Sequence, residues 1–173
     1  MKFIFVYLIM SCFYSFSLGQ TKNEIIEDIK NIVETIHMDT ALMSVTLLNQ
    51  EFIGDTTVGG GELTGFYKKK KIYYIYRSVG LTYGVELIQF YYWKNKLVFV
   101  SKKFNTYVYD DSLKSFDYTV LNTTFTGKYY FDNEKLFHKV ITGNKRVDDN
   151  ATDMEKSLLK DSKENIELIK KRM

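Results

Sequence analysis

Apolar residues between positions 21 and 37 recur at Ile25, Ile29, Ile32, Val33 and Ile36. That three-and-four spacing lays one stripe along a helix. Lys22, Glu27, Asp28, Lys30, Asn31 and Glu34 occupy the other face. Thr21, with Glu24 three residues on, forms a capping-box signature at the start. The pattern predicts a helix over 21–37, packed by its stripe on a sheet; a partner-binding helix would carry the same stripe.

From Val45 to Ile141 the pattern shortens to aromatic and β-branched runs. They predict strands at 45–48, 62–67, 72–77, 85–93, 97–101, 107–109, 125–131 and 136–141. Several runs are separated by two to five polar residues, which is hairpin spacing. Val85–Trp93 is apolar on both sides, with Leu87, Tyr91 and Trp93 on one and Ile88, Phe90 and Tyr92 on the other. A strand of that kind belongs in the middle of a sheet covered on both faces, so Trp93 is expected to be at least partly buried.

Three segments follow one plan: TGFYKKKKIYYI at 64–75, QFYYWKNKLVFV at 89–100 and TGKYYFDNEKLFHKV at 126–140. Each has aromatic residues, a polar tip, then an aliphatic residue opening the return strand. The repeat predicts successive hairpins in a meander, and its irregular period argues against a solenoid or propeller. Helical spacing returns over 152–173, with Met154, Leu158, Ile166 and Ile169 on one side. Ser162 and Asn165 weaken that stripe. Thr152 and Glu155 match a second capping box, and Lys170, Lys171 and Arg172 suit a helix C-terminus. The fold class expected is α+β: a curved antiparallel meander flanked by an N-terminal and a C-terminal helix.

The first 19 residues stand apart. Lys2 is their only charge, Phe3–Met10 is an unbroken apolar run, and Ser17 and Gly19 give the small-x-small pattern before a cut ahead of Gln20. A signal peptide at 1–19 and a single domain at 20–173 are expected. The serines at 11, 15 and 17 interrupt the run, which argues against a transmembrane span. Lipidation of Cys12 is the alternative. Localisation is therefore expected to be exported, periplasmic or secreted, with a lipid anchor through Cys12 as the other route.

Composition narrows the chemistry. The 173 residues carry a net charge of +3, no proline and one cysteine, which the expected cut removes. A disulfide framework and thiol chemistry are thereby excluded, and so balanced a charge argues against a nucleic-acid partner. His37 and His138 have no second His or Cys at ligand spacing, so no metal and no cofactor are expected. The pairs Asp110–Asp111 and Asp148–Asp149 read as solvated turns, with a calcium site as the competing use. Gly59–Gly61 lacks the Lys-Ser/Thr of a phosphate loop and reads as a flexible approach to a strand. Lys68–Lys71 reads as a hairpin tip. No catalytic constellation is present, so no enzyme activity is expected. Twelve tyrosines lie beyond residue 19; Tyr67, Tyr73, Tyr74 and Tyr92 are the candidate interface.

The stretches GGGELTGFY at 59–67, GLTYGVELIQFYYWKNKLVFV at 80–100 and FTGKYYFDNEKLFHKV at 125–140 resemble small exported proteins of Bacteroidota-type bacteria that carry repeated aromatic hairpins and no assigned function. The resemblance implies periplasmic or outer-surface placement and no catalytic residue. The function expected is an exported non-enzymatic binding module, such as a periplasmic inhibitor or immunity-type protein. A carrier of a small apolar or glycan ligand on a concave sheet and an unidentified enzyme are the alternatives.

Overall fold

A computed structural model describes residues 20–53, 59–143 and 153–173. The expected signal peptide, Asp148–Asp149 and Thr152 lie outside the described residues. Helix α1 spans Lys22–Met38, followed by strand β1 (Met43–Leu48) and the one-turn helix α2 (Gln50–Ile53). The remaining strands are β2 (Gly61–Lys68), β3 (Lys71–Leu81), β4 (Gly84–Trp93), β5 (Lys96–Asp110), β6 (Ser115–Asp132) and β7 (Lys135–Gly143). Helix α3 spans Met154–Lys170. The strands form one sheet in the order β1-β2-β3-β4-β5-β6-β7, every pair antiparallel. This is the expected α+β meander with a helix at each end of the chain, and the sheet is open.

Each face carries its own core. Leu63, Ile75, Phe90, Val100 and Tyr129 pack with Leu158 and Ile169 of α3. Their strand neighbours Tyr74, Tyr91, Phe99 and Tyr130 pack with Ile29 and Ile36 of α1 on the opposite face. The period of two thus builds an α/β/α sandwich. β4 lies fourth of seven, and Phe90, Tyr91 and Tyr92 are all buried, as its double-sided apolarity predicts.

The three-fold repeat folds as three hairpins with tips at Lys69–Lys70, Lys94–Asn95 and Asn133–Glu134. All six tip residues have φ between 49° and 64°, the left-handed geometry that suits the twist of a two-residue hairpin. Each hairpin also has a bulge at the same place. Phe66 pairs with Tyr74 but Tyr67 with Ile72, so Tyr73 is an extra residue on the return strand. Val98 and Phe137 are its equivalents. The extra residue breaks strict alternation, and Tyr73 with Tyr74, Val98 with Phe99 and Phe137 with His138 come to the α1 side in pairs.

The strand boundaries and the buried face of α3 differ from expectation. Leu97–Ser101 and Tyr107–Tyr109 belong to one strand, β5, so seven strands replace eight, and β6 begins at Ser115 rather than Phe125. Pairing with β4 ends at Thr106 and pairing with β7 ends at Phe125. Past Tyr107, whose N–H still donates to Tyr83 O at 3.1 Å, β5 and β6 pair only with each other, as an arm with Tyr109, Leu113, Tyr118, Val120 and Leu121 exposed. Phe116, Tyr118 and Val120 do alternate with polar residues there, but the short run sits between the Asp110–Lys114 turn and the polar Asn122–Thr124, which hides its continuity with Phe125–Phe131. Trp93, directly before the Lys94–Asn95 tip, is 37% exposed and thus only partly buried, within the expectation. In α3 the buried line is Leu158, Ser162, Asn165 and Ile169. The two polar residues that weaken the stripe in sequence are part of the docked face, and Ser162 Oγ is 2.9 Å from Tyr92 Oη.

α3 lies close on the sheet at Gly65, where a Cβ would stand 2.5 Å from Ile169 Cγ2. Glu155 accepts the backbone N–H of Leu136 at 2.8 Å, tying the first turn of α3 to β7. The α1 start follows the sequence signature: Glu24 N–H donates to Thr21 Oγ1 and Thr21 N–H donates to Glu24 Oε2.

Candidate functional site

The repeat places one ring per strand at equivalent positions, and antiparallel register brings them into a row. Phe66, Tyr74, Tyr91, Phe99, Tyr130 and His138 are cross-strand neighbours from β2 to β7. Successive ring centroids are 5.0, 4.8, 5.6, 4.9 and 5.5 Å apart. Phe66–Tyr74, Tyr74–Tyr91 and Tyr130–His138 are stacked; the two pairs through Phe99 are tilted. Six rings in continuous contact make a rigid platform, since each ring has only two torsions to lose.

α1 crosses this platform without covering all of it. Between the helix and the sheet lies an open groove of about 600 Å³. Tyr91, Phe99 and Tyr130 form its floor, and Ile29, Val33 and Met38 give the helix wall. The next row on the same face, Gln89–Ser101–Lys128, forms a polar border two residues further along each strand. Lys30, Glu34 and His37 line the helix side.

The polar groups nearest the floor are positioned by hydrogen bonds. His37 Nε2 is 2.8 Å from Tyr91 Oη, and the imidazole meets the Tyr74 and Tyr91 rings edge-on at 5.4 Å each. Gln89 Nε2 donates to Tyr74 Oη at 2.8 Å. Burial pushes both phenols upward, with the neighbouring Tyr74 adding to the shift on Tyr91, so both stay protonated at neutral pH. Lys30 is paired to Glu27 at 2.9 Å. The groove therefore has an apolar floor, fixed donors and acceptors at its rim, and the carboxylate of Glu34 and ammonium of Lys128 facing solvent.

The four candidate tyrosines do not form one surface. Tyr73 and Tyr74 pack on the α1 side, Tyr67 and Tyr92 on the α3 side. Tyr92 is 2% exposed with its hydroxyl on Ser162, and burial raises its pKa. It is a core residue, and Tyr74 is a member of the six-ring platform. Tyr73 lines a small cleft of about 150 Å³ with Trp93 and Lys71. Sequence reasoning missed Gln89, Tyr91, Phe99, Ser101, Lys128 and Tyr130. Aligning the three repeats on Phe66, Tyr91 and Tyr130 would have found the rings, because equivalent repeat positions face the same side.

The other singled-out residues have structural positions. Lys68 pairs with Asp39 at 3.0 Å, and Lys69 and Lys70 form a tip. Gly61 opens β2 and donates its N–H to Asn49 Oδ1 at 2.8 Å. Asp110 turns the arm by accepting from the Ser112 hydroxyl and from the N–H groups of Ser112 and Leu113; these bonds hold its carboxyl below the usual range. Among the described residues, no group of three or more His, Cys, Asp or Glu side chains could hold a metal ion. No helix among them is long and apolar enough to cross a membrane.

A second polar cluster lies on the α3 face. Lys102 and Glu86 pair at 3.4 Å with both side chains largely buried. Asp161 of α3 lies in the field of Arg77, Lys102, Glu86 and Glu164. Burial pushes the Asp161 carboxyl up while Arg77 pulls it down. The arrangement balances acids against cations beside a docked helix.

No protein-family model, curated protein or solved structure matches the chain.

Proposed function

We propose that the protein is an exported, non-enzymatic binding module and that it holds a small ligand in the groove beneath α1. The observation that carries this reading is the aromatic floor bordered by hydrogen-bonded polar groups within about 600 Å³. That volume lies in the range of roughly 300–1,000 Å³ usual for small-ligand sites, which combine apolar walls with a few polar groups that fix orientation. A molecule with a flat or extended apolar body and a polar end suits the groove. A glycan, with C–H faces for the rings and hydroxyls for Gln89 and Ser101, uses the same features. Export rests on the pattern of residues 1–19, and it would put the groove in the periplasm or outside the cell. The non-enzymatic reading rests on the sequence, which carries no recognisable catalytic motif.

Titration of the purified protein with the neutral dye N-phenyl-1-naphthylamine tests the groove. Saturable fluorescence enhancement is expected, and Val33→Trp, which fills the groove from the helix wall, should abolish it without lowering the melting temperature by more than a few degrees. Equal dye binding by Val33→Trp would exclude the groove.

A protein partner is the second reading, and the β5–β6 arm favours it. Tyr109, Leu113, Tyr118, Val120 and Leu121 are exposed there on a two-stranded projection. Large apolar side chains on a protruding ribbon suit insertion into another protein's cleft. If this reading held, Tyr109→Ser with Tyr118→Ser would abolish capture of the partner while dye binding stayed intact.

A further inference from the structure

Resting on that reading of the groove, we infer that its ligand is a single-chain amphiphilic carboxylate. The head lies on Lys128 and Ser101 and the apolar body runs along Tyr91, Phe99 and Tyr130. Register gives the division. Ser101 and Lys128 are direct cross-strand partners on β5 and β6. Phe99 and Tyr130 are the partners two residues away on the same strands, hence on the same face. Two residues along a strand is about 7 Å, so an ammonium and a hydroxyl border the apolar floor within one short step.

Charge selects the head group. Lys30 is already neutralised by Glu27 at 2.9 Å, and Gln89, which gives one N–H to Tyr74, offers an uncharged amide. Lys128 is exposed, and no carboxylate partner is seen for it among the described residues. Lys103 lies on the same face one row further out, beside Thr126. Glu34 is the acid on the groove lining. One unpaired ammonium with a neighbouring hydroxyl donor matches a singly charged, two-oxygen head. A dianionic head would meet more repulsion from Glu34, and a cationic head would have Lys128 against it.

Calorimetric titration with decanoate, 1-decanol and decylamine tests the assignment on equal chain lengths. Decanoate is expected to bind tightest, and Lys128→Met to weaken it about tenfold while leaving decanol unchanged, the scale of one charge-assisted contact. Ser101→Ala should weaken decanoate in the same direction, and Glu34→Gln should tighten it. Lys103→Met serves as the control for a general field, and it should change decanoate binding less than Lys128→Met. Equal affinity for decanoate and decanol, unmoved by Lys128→Met, would overturn the head group and leave the groove standing. Preference for decylamine, lost in Glu34→Gln, would also overturn it. Failure of all three together with the neutral dye would instead overturn the groove itself.

Discussion

Phe90 and Trp93, three residues apart on β4, separate burial from aromatic character. Phe90 is fully buried in the α3 core, so Phe90→Ala should cost about 3–5 kcal/mol. Trp93 keeps over a third of its surface in water, and Trp93→Ala should cost about 1–2 kcal/mol, clearly less than the Phe90 loss. Urea denaturation of the two variants gives both numbers, and equal losses would contradict the placement of Trp93. Asp161 makes a prediction of opposite sign. Its carboxyl is raised in the folded protein, chiefly by burial, so the native state holds the proton more tightly than the unfolded one. Asp161 therefore lowers stability as pH rises through its unfolded pKa of about 3.9 toward the raised folded value. Asp161→Asn should raise the melting temperature at pH 7, and the gain should vanish near pH 3. A destabilised variant at pH 7 would mean that the attraction of Arg77 outweighs burial.

Among the elements, the hairpins were the most legible and the paired ring positions the least. The polar tips of the three repeats marked the turns because a left-handed tip tolerates few residue types. The bulge that brings Tyr73 and Tyr74 to one side could not be read, since a pattern of period two assigns neighbours to opposite faces. β5 and β6 were cut short for another reason: the polar stretches Lys102–Lys103 and Asn122–Thr124 interrupt their apolar runs, so each long strand reads as a short one. The groove was illegible because Lys128 and Ser101 meet only through register. Lys69 and Lys70 hold the β2–β3 tip with φ of 50° and 60°, a region that costs a β-carbon residue about 1–2 kcal/mol. Replacing them by Asn-Gly should raise stability by about 1 kcal/mol in thermal or urea unfolding. A loss would show that the lysines contribute more than turn geometry.

At the scale of the molecule the two sheet edges are unequal. β7 carries Lys135, His138 and Lys139, whereas β1, Met43–Leu48, has no charge and exposes Met43 and Leu48. Uncharged edges invite pairing with further strands. Ser44→Lys should therefore slow aggregation at raised temperature, read by light scattering, and Lys139→Ser should hasten it. The strand order also fixes how the protein comes apart under load. β1 and β7 sit on opposite edges, and each strand is bonded to the one before it in the chain. A translocase or protease drawing on the C-terminus, once α3 is peeled away, meets β7 as an edge strand. Its rungs run perpendicular to the strand, so they open one after another like a zip, and the tension never has to shear a whole strand at once. Mechanical resistance should then be low from that end even where thermal stability is high.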